Sequence, residues 1–287
     1  MISSLEQEFG NLDTGELRTL ALALNPIKFA QQFIEPDPWQ KEILSSKEKR
    51  IILNCSRQSG KSTITAILAL HHALNNPGVL VLVLSPTIRQ SGELFKKIMW
   101  YYKDIGHPMA SIIETALTIQ LANRSRIVAL PGNEQTVRGY SGVSLLIVDE
   151  AARVVNSLYD AVRPMLAVSH GKLVLLSTPK GRSGFFYEEW TKSEERWFKV
   201  RVTAEECPRI DKEFLDTERT KGDRYFMQEY MCEFRENEEG VFSIEEIENA
   251  FSKEVKPLFD PVTGELDVPV PDKPIARGMI SGLGWGI

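Results

Sequence analysis

A chain of 287 residues with 43% hydrophobic and 25% charged residues can bury the core of one large domain, or of one domain with a small appendage. No apolar run reaches the ~18 residues of a membrane span, and the N-terminal MISSLEQEFGNLDTGELRTL lacks the basic start and apolar stretch of a secretory signal. A protein that coats nucleic acid is usually basic, so at a net charge of −5 any DNA contact is expected to be a local patch or transient, and net charge neither supports nor excludes DNA. The first forty or so residues read as helix with breaks: GELRTLALAL and PIKFAQQFI have apolar residues at helical spacing, punctuated by Pro26, Pro36 and Pro38. RIILNCS (50–56) is then a short apolar run, followed by a Gly-containing loop and the helical KSTITAILALHHAL. GVLVLVLSP (78–86) is a second such run, before the helical RQSGELFKKIMWYYKDI. ALTIQLAN and RSRIVALP form a predicted pair of strands with a polar turn at Asn123–Ser125. VSLLIVDEA (143–151), helical NSLYDAVRPMLAV, KLVLLSTP (172–179) and WFKVRVTA (197–204) complete the series.

Continuous apolar runs separated by helices predict a parallel sheet covered on both faces. From about Glu205 to Asn237 the pattern turns helical and charged, and DPVTGELDVPVPDKP (260–274) reads as a Pro-rich linker. The expected organisation is an N-terminal helical segment over 1–45, a core over 46–204, a helical appendage over 205–250 and a linker over 251–287. Cys55, Cys207 and Cys232 are odd in number and far apart, and the four histidines lack ligand spacing, so neither a disulfide framework nor a zinc site is indicated.

The chemistry concentrates at three strand ends. LNCSRQSGKST (53–63) has the form of a phosphate-binding loop: a strand, a turn, and Gly60-Lys61-Ser62 opening a helix. Backbone N–H groups from Ser56, Arg57, Gln58 and Ser59 through Thr63 would cradle phosphates, with Lys61 reaching the terminal ones and the Ser62 hydroxyl binding Mg²⁺. Cys55 stands where the full motif has its first glycine. LLIVDEA ends a buried strand in Asp149, placed to hold Mg²⁺, and Glu150, placed to polarise an attacking water as general base. The bland alternative for this pair is an acidic first helical turn. Loop and carboxylates together point to ATP hydrolysis. LVLLSTPKG ends a third strand in Ser177, Thr178 and Pro179, either a phosphate-sensing edge or an ordinary polar strand end. Gln40 in PDPWQ could read an adenine edge through its amide, although a lone helical Gln is usually only solvated.

On PDPWQ, CSRQSGKST, LSPTIRQSGELF, VRGYSGVSLLIVDEAARV, LLSTPKGRSGFFYEEW and FMQEYMCEFRENEEGVF, the chain resembles the ATPase part of the large terminase subunit of tailed bacteriophages, over roughly residues 33–245. The family often departs from the full glycine pattern and has an arginine inside its loop. The resemblance implies an α/β fold, a P-loop NTPase of the additional-strand, catalytic-glutamate class with a mainly parallel sheet flanked by helices and a small helical lid. It implies ATP and Mg²⁺ as nucleotide and metal, Arg57 on the terminal phosphate from the same subunit, and Arg138 as an arginine finger reaching a neighbour's ATP. From the residues alone Arg138 could equally be an ordinary surface or DNA-facing arginine. Ser177–Thr178–Pro179 would be the coupling motif. The implied partners are double-stranded DNA, a homo-oligomeric ring (a pentamer), a portal protein and the small terminase subunit, in the host cytoplasm and with no membrane.

Family members usually carry a nuclease domain as well, and the expectation here is a fragment without one. GMISGLGWGI resembles that domain's first strand, with Gly284 where the family often has an aspartate, so no nuclease activity is expected from these residues. Candidate DNA-facing cations are Lys96, Lys97, Arg124, Arg126, Lys180 and Arg182, but each such residue is more often an ordinary solvated charge, so none is singled out. The rival readings are a superfamily 2-type helicase or translocase, which would need a second ATPase-like domain, and an ATP-gated assembly switch.

Overall fold

The structure, a computed structural model, describes residues 13–132, 137–192 and 196–235. The contacts divide the chain into two compact units, 1–237 and 238–287, and every described residue lies in the first. The predicted linker and Gly284 lie outside the described residues, as does the lid segment beyond 235.

The described residues open with three short helices whose starts the sequence sets locally. Helix α1 (Thr14–Leu24) begins at Asp13, whose carboxylate accepts from the Glu16 N–H at 2.8 Å while Glu16 accepts from the Asp13 N–H at 3.0 Å. Helices α2 (Pro26–Ala30) and α3 (Pro38–Ser45) each open on a proline, which forfeits only a donor that a first turn leaves unused. Strand β1 (Arg50–Cys55) then leads into α4 (Lys61–Asn75), and β2 (Leu80–Ser85) into α5 (Ile88–Asp104). Next come β3 (Ser111–Glu114), β4 (Thr118–Leu121), β5 (Arg126–Pro131) and β6 (Val143–Asp149).

A single 3₁₀ turn (Ala151–Arg153), α6 (Asn156–Val162) and a second 3₁₀ turn (Arg163–Leu166) connect β6 to β7 (Lys172–Ser177). Pro164 ends α6 because it has no N–H for a helical bond. Helix α7 (Gly184–Lys192) and β8 (Phe198–Val202) follow, and two helices, α8 (Lys212–Arg219) and α9 (Asp223–Glu229), pack as a lid around Ala204, Leu215, Phe226 and Tyr230.

The eight strands form one sheet in the order β3-β4-β5-β2-β6-β7-β1-β8. Five pairings are parallel, and only β3–β4 and β4–β5 are antiparallel, so the hairpin predicted at Asn123–Ser125 is one edge of an otherwise parallel sheet. Its turn has Arg124 in the left-handed region at φ 67°, and Asn123 Oδ1 accepts from the Ser125 N–H. Side chains alternate across the sheet. Ile51, Leu53 and Cys55 join the core under α4 and α5, while Ile52, Leu82, Leu146 and Leu175 join the opposite core under α6 and α7. Burial on both faces is why these strands read as unbroken apolar runs.

One strand was not predicted. Strand β3 is four residues long, and its Ile112 and Ile113 are exposed at the sheet edge, so no alternation betrays it. Helix α7 packs Phe185 and Phe186 into the second core. One close approach underlies the second half of the sheet: a Cβ at Gly171 would stand 2.1 Å from the Val143 backbone oxygen and 2.9 Å from that of Ser144. Backbone cannot give way as a side-chain tip can, so Gly171→Ala should cost ~1–3 kcal/mol of stability. Urea unfolding followed by circular dichroism checks it.

Candidate active site

The C-terminal ends of β1, β6 and β7 lie side by side in the sheet order, so everything that follows them meets at one edge. The turn from β1 into α4 is tight: Gln58 has φ 62° and Gly60 φ 94°, both left-handed. Glycine suits the second for its backbone, and a Cβ there would also stand 2.9 Å from Gln40 Nε2 and 3.3 Å from Arg209 Nη2, side-chain tips that would have to shift. Cys55, by contrast, is the last residue of β1, paired with Val202 and fully buried in the core. No left-handed turn is asked of it, which is why this loop does without the first glycine.

The loop is held by its neighbours. The Ser56 N–H donates to Val202 O at 2.8 Å, Ser59 Oγ donates to Ser56 O at 2.9 Å, and Lys61 Nζ lies 3.3 Å from the same carbonyl. Arg209 donates to both Asp37 carboxylate oxygens at 2.9 and 2.7 Å and to Ser59 O at 2.7 Å, strapping the start of α3 to the loop. No side chain caps α4 at Gly60, so its first turn presents backbone N–H groups and the positive end of the helix dipole.

Facing that helix end are Asp149 and Glu150. One cleft of about 340 Å³ is lined by Ser62, Asp149, Glu150 and, from α5, Arg89, Glu93 and Lys97. A second is lined by Gln58, Gly60, Lys61, Ser62, Thr63 and Lys97, so Ser62 and Lys97 border both. Burial pushes the Asp149 carboxyl up to about 6, helped by the neighbouring Glu150 charge, against the opposing pull of Lys61, the Glu150 N–H and Lys97. A buried carboxylate with an elevated pKa beside a hydroxyl is the chemistry a hard divalent cation relieves, so Ser62 and Asp149 fit Mg²⁺. Ser56 Oγ and Ser177 Oγ, at the same sheet edge, are buried without a hydrogen-bond partner.

Glu150 is left-handed at φ 52°, with its N–H donating to Asp149 Oδ1 at 2.9 Å. The following 3₁₀ turn brings Arg153 over it, because residues three apart eclipse in such a turn. Arg153 Nη1 donates to Glu150 Oε2 at 2.7 Å and to Thr178 Oγ1 at 3.1 Å, and Nη2 donates to Glu229 Oε1 at 3.2 Å. Glu229, at the end of lid helix α9, is buried, and its Oε2 accepts from Arg57 Nε at 2.6 Å and from Thr178 Oγ1 at 3.3 Å. Its backbone oxygen also accepts the Arg57 N–H at 3.1 Å. Burial pushes the Glu229 carboxyl up, but hydrogen bonds from Arg57 and Gln228 and the charges of Arg57 and Arg153 outweigh it, and the net shift is downward.

The structure thus brings Ser56–Thr63, Asp149, Glu150 and Thr178 to one edge, with Ser177 buried beneath. Gln40 is buried against the loop, and its Oε1 accepts the Asp37 N–H at 2.9 Å, a helix-capping duty the sequence reading did not foresee. Arg138 is exposed and borders a different cleft, with Ser157, Asp160, Ala161 and Pro164. Glu229, Arg153, Arg209 and Lys97 were missed as site residues. Only Arg153 left a local signal, its i,i+3 spacing from Glu150.

The family described as "Terminase large subunit, T4likevirus-type, N-terminal" matches residues 52–249, more than half of the chain. The chain belongs to that family. It is 27% identical over 176 residues to the terminase large subunit of Thermus virus P23-45, covering 53% of this chain and 35% of that one. It is 25% identical over 246 residues to a probable terminase large subunit of Enterobacteria phage P7, covering 76% and 50%. The chain therefore spans about a third to a half of the length of these curated relatives. Its fold matches the large terminase ATPase domain of Thermus phage P74-26 with a TM-score of 0.63 at 21% identity, covering 72% of this chain and 98% of that one. It matches the HK97 bacteriophage large terminase with a TM-score of 0.63 at 16% identity, covering 74% and 55%. A large terminase from another thermophilic bacteriophage, solved in complex with ATP-gamma-S, matches with a TM-score of 0.57 at 13% identity, covering 73% and 52%. These likenesses establish a P-loop NTPase fold.

Asp149 also makes stability depend on pH. Its folded pKa lies above the ordinary aspartate value, so its favourable contribution is full at low pH and is lost as pH rises through about 6. Asp149→Asn should stabilise the protein at pH 7.5 by up to roughly 3 kcal/mol, a gain that fades toward pH 4. Thermal melts across that range, without added metal, read it directly.

Proposed function

We propose that this chain is the ATP-hydrolysing part of a motor that packages double-stranded viral DNA into a procapsid. The observation that carries the reading is one cleft bordered by the uncapped start of α4, Ser62, and the Asp149–Glu150 pair. In this reading ATP lies with its phosphates along Ser56–Thr63, their charge met by loop N–H groups and Lys61. Gln40 and Arg209 border the loop from the side of α3, where Gln40 would meet the adenine. Ser62 and Asp149 hold Mg²⁺, which when bound neutralises charge on the phosphate oxygens.

Glu150 accepts a proton from water as that water's oxygen bonds to the terminal phosphorus and the bond to the ADP oxygen breaks. Arg57 steadies the transferring phosphoryl from the same chain, and Arg138 does so from a neighbour in a homo-oligomeric ring. Thr178, in the Ser177–Thr178–Pro179 motif, hydrogen-bonds the lid carboxylate of Glu229, which gives nucleotide state a direct route to the lid. The lid, continuing toward residue 250, would move DNA held by the ring, with portal and small terminase subunits as partners in the host cytoplasm. The domain limits at 45, 204 and 250 belong to the same proposal.

Steady-state ATPase rates over a range of protein concentration test it. The rate per chain should rise with concentration. Glu150→Ala should lower kcat by ~10²–10⁴-fold and Arg138→Ala by ~10³-fold or more, with ATP binding intact in both. A rate indifferent to concentration and to Arg138 would contradict the trans role and favour a self-contained ATPase.

A further inference from the structure

Arg153 belongs to neither the phosphate loop, the Asp149–Glu150 pair nor the Ser177–Thr178–Pro179 edge, yet it touches three parts of the site. One guanidinium edge meets Glu150 Oε2 and Thr178 Oγ1, and the next nitrogen meets Glu229 Oε1. The three acceptors come from the end of β6, the end of β7 and the end of lid helix α9. A planar fork with several donors can serve three acceptors at once, whereas an ammonium on a flexible stem cannot fix their relative directions.

The arrangement also has a definite charge balance. Arg57 and Arg153 share the Glu229 carboxylate, one on each oxygen, and Arg153 alone continues to Glu150. Glu229 is 4% exposed and Arg153 26%, so these charges are shielded enough from solvent for their geometry to matter. Glu150 sits on a left-handed backbone that aims its carboxylate along the 3₁₀ turn, where its Oε2 accepts from Arg153. Where Arg153 goes, the Glu150 carboxylate follows.

We propose that Arg153 is a positioning residue that holds the Glu150 carboxylate for its proton transfer and makes that hold depend on the lid through Glu229. The inference rests on the ATPase reading of the same cleft. With α9 in place, Glu229 pins the outer nitrogen of Arg153 and Thr178 pins the inner one, so the Glu150 carboxylate has one direction. When α9 withdraws, Arg153 keeps only Glu150 and Thr178, and the pair gains freedom to swing. Arg153 touches no phosphate in this scheme. It acts on rate through Glu150 and not on affinity.

The test is kcat, KM and the dissociation constant for ATP, measured on the full chain for Arg153→Ala, Arg153→Lys, Glu229→Gln and the double variants. Arg153→Ala should lower kcat tenfold or more while KM and ATP affinity stay within twofold. Arg153→Lys should recover part of the lost kcat, because one donor still reaches Glu150. The Glu229→Gln penalty should shrink at least fivefold in the Arg153→Ala background, leaving the part that runs through Arg57.

A purely structural Arg153 would instead lower the melting temperature and ATP affinity together at unchanged kcat, and that overturns the proposal. So do penalties for Arg153→Ala and Glu229→Gln that multiply within twofold. A native chain that hydrolyses no ATP at any concentration overturns the ATPase reading itself and takes this inference with it. An active native chain indifferent to Arg153 overturns this inference alone.

Discussion

The cleft depends on the sharp turn by which the chain leaves β1 and enters α4. Gly60 supplies the left-handed backbone there, between the side-chain tips of Gln40 and Arg209. The turn points the open end of a fifteen-residue helix at the ends of β6 and β7. Without it the carboxylates of Asp149 and Glu150 would face an ordinary loop, and the dipole and N–H groups that suit an anion would point elsewhere. The Arg209 strap to Asp37 on one side and the Arg57–Glu229 pair on the other keep the turn in register with α3 and with the lid.

Two opposing electrostatic demands then share a small volume. The start of α4 and Lys61 favour negative charge, while Asp149, buried and beside Glu150, resists carrying it. A polyphosphate with its divalent cation answers both at once, since the anion meets the helix and the cation meets the carboxylate. Around this centre the lid is joined by charge more than by apolar contact. Its own core is the small cluster of Ala204, Leu215, Phe226 and Tyr230, while Glu229 meets Arg57, Arg153 and Thr178. Charged contacts of this kind are directional and can exchange partners as phosphate charge comes and goes, which suits a moving part better than a large apolar seam would.

Much of this was legible in the sequence, for a physical reason. Strands buried on both faces must be apolar throughout, so β1, β2, β6 and β7 announced themselves, and the strand-to-helix junctions put the loop and the acidic pair where they stand. The hairpin of β4 and β5 was legible from its turn chemistry at Asn123. Strand β3 was not, because a short edge strand owes its existence to a partner and not to its own pattern. The same holds at the site. Residues of the phosphate loop and the acidic pair were found from their local spacing, whereas Glu229 lies 172 positions from Arg57 and Arg209 the same distance from Asp37, so no local spacing predicts either pair. Cys55 weakens the motif by spacing alone and fits the family resemblance; its physical reason is that its side chain lies in the core while the left-handed turn falls at Gln58 and Gly60.

The central claim is that the cleft between α4 and Asp149 takes one magnesium nucleotide. Calorimetric titration of the chain with ATP-gamma-S, with Mg²⁺ and again with EDTA, tests it most directly. The account requires one nucleotide per chain and an affinity that falls at least tenfold when the metal is removed. No binding, or binding indifferent to Mg²⁺, would contradict it.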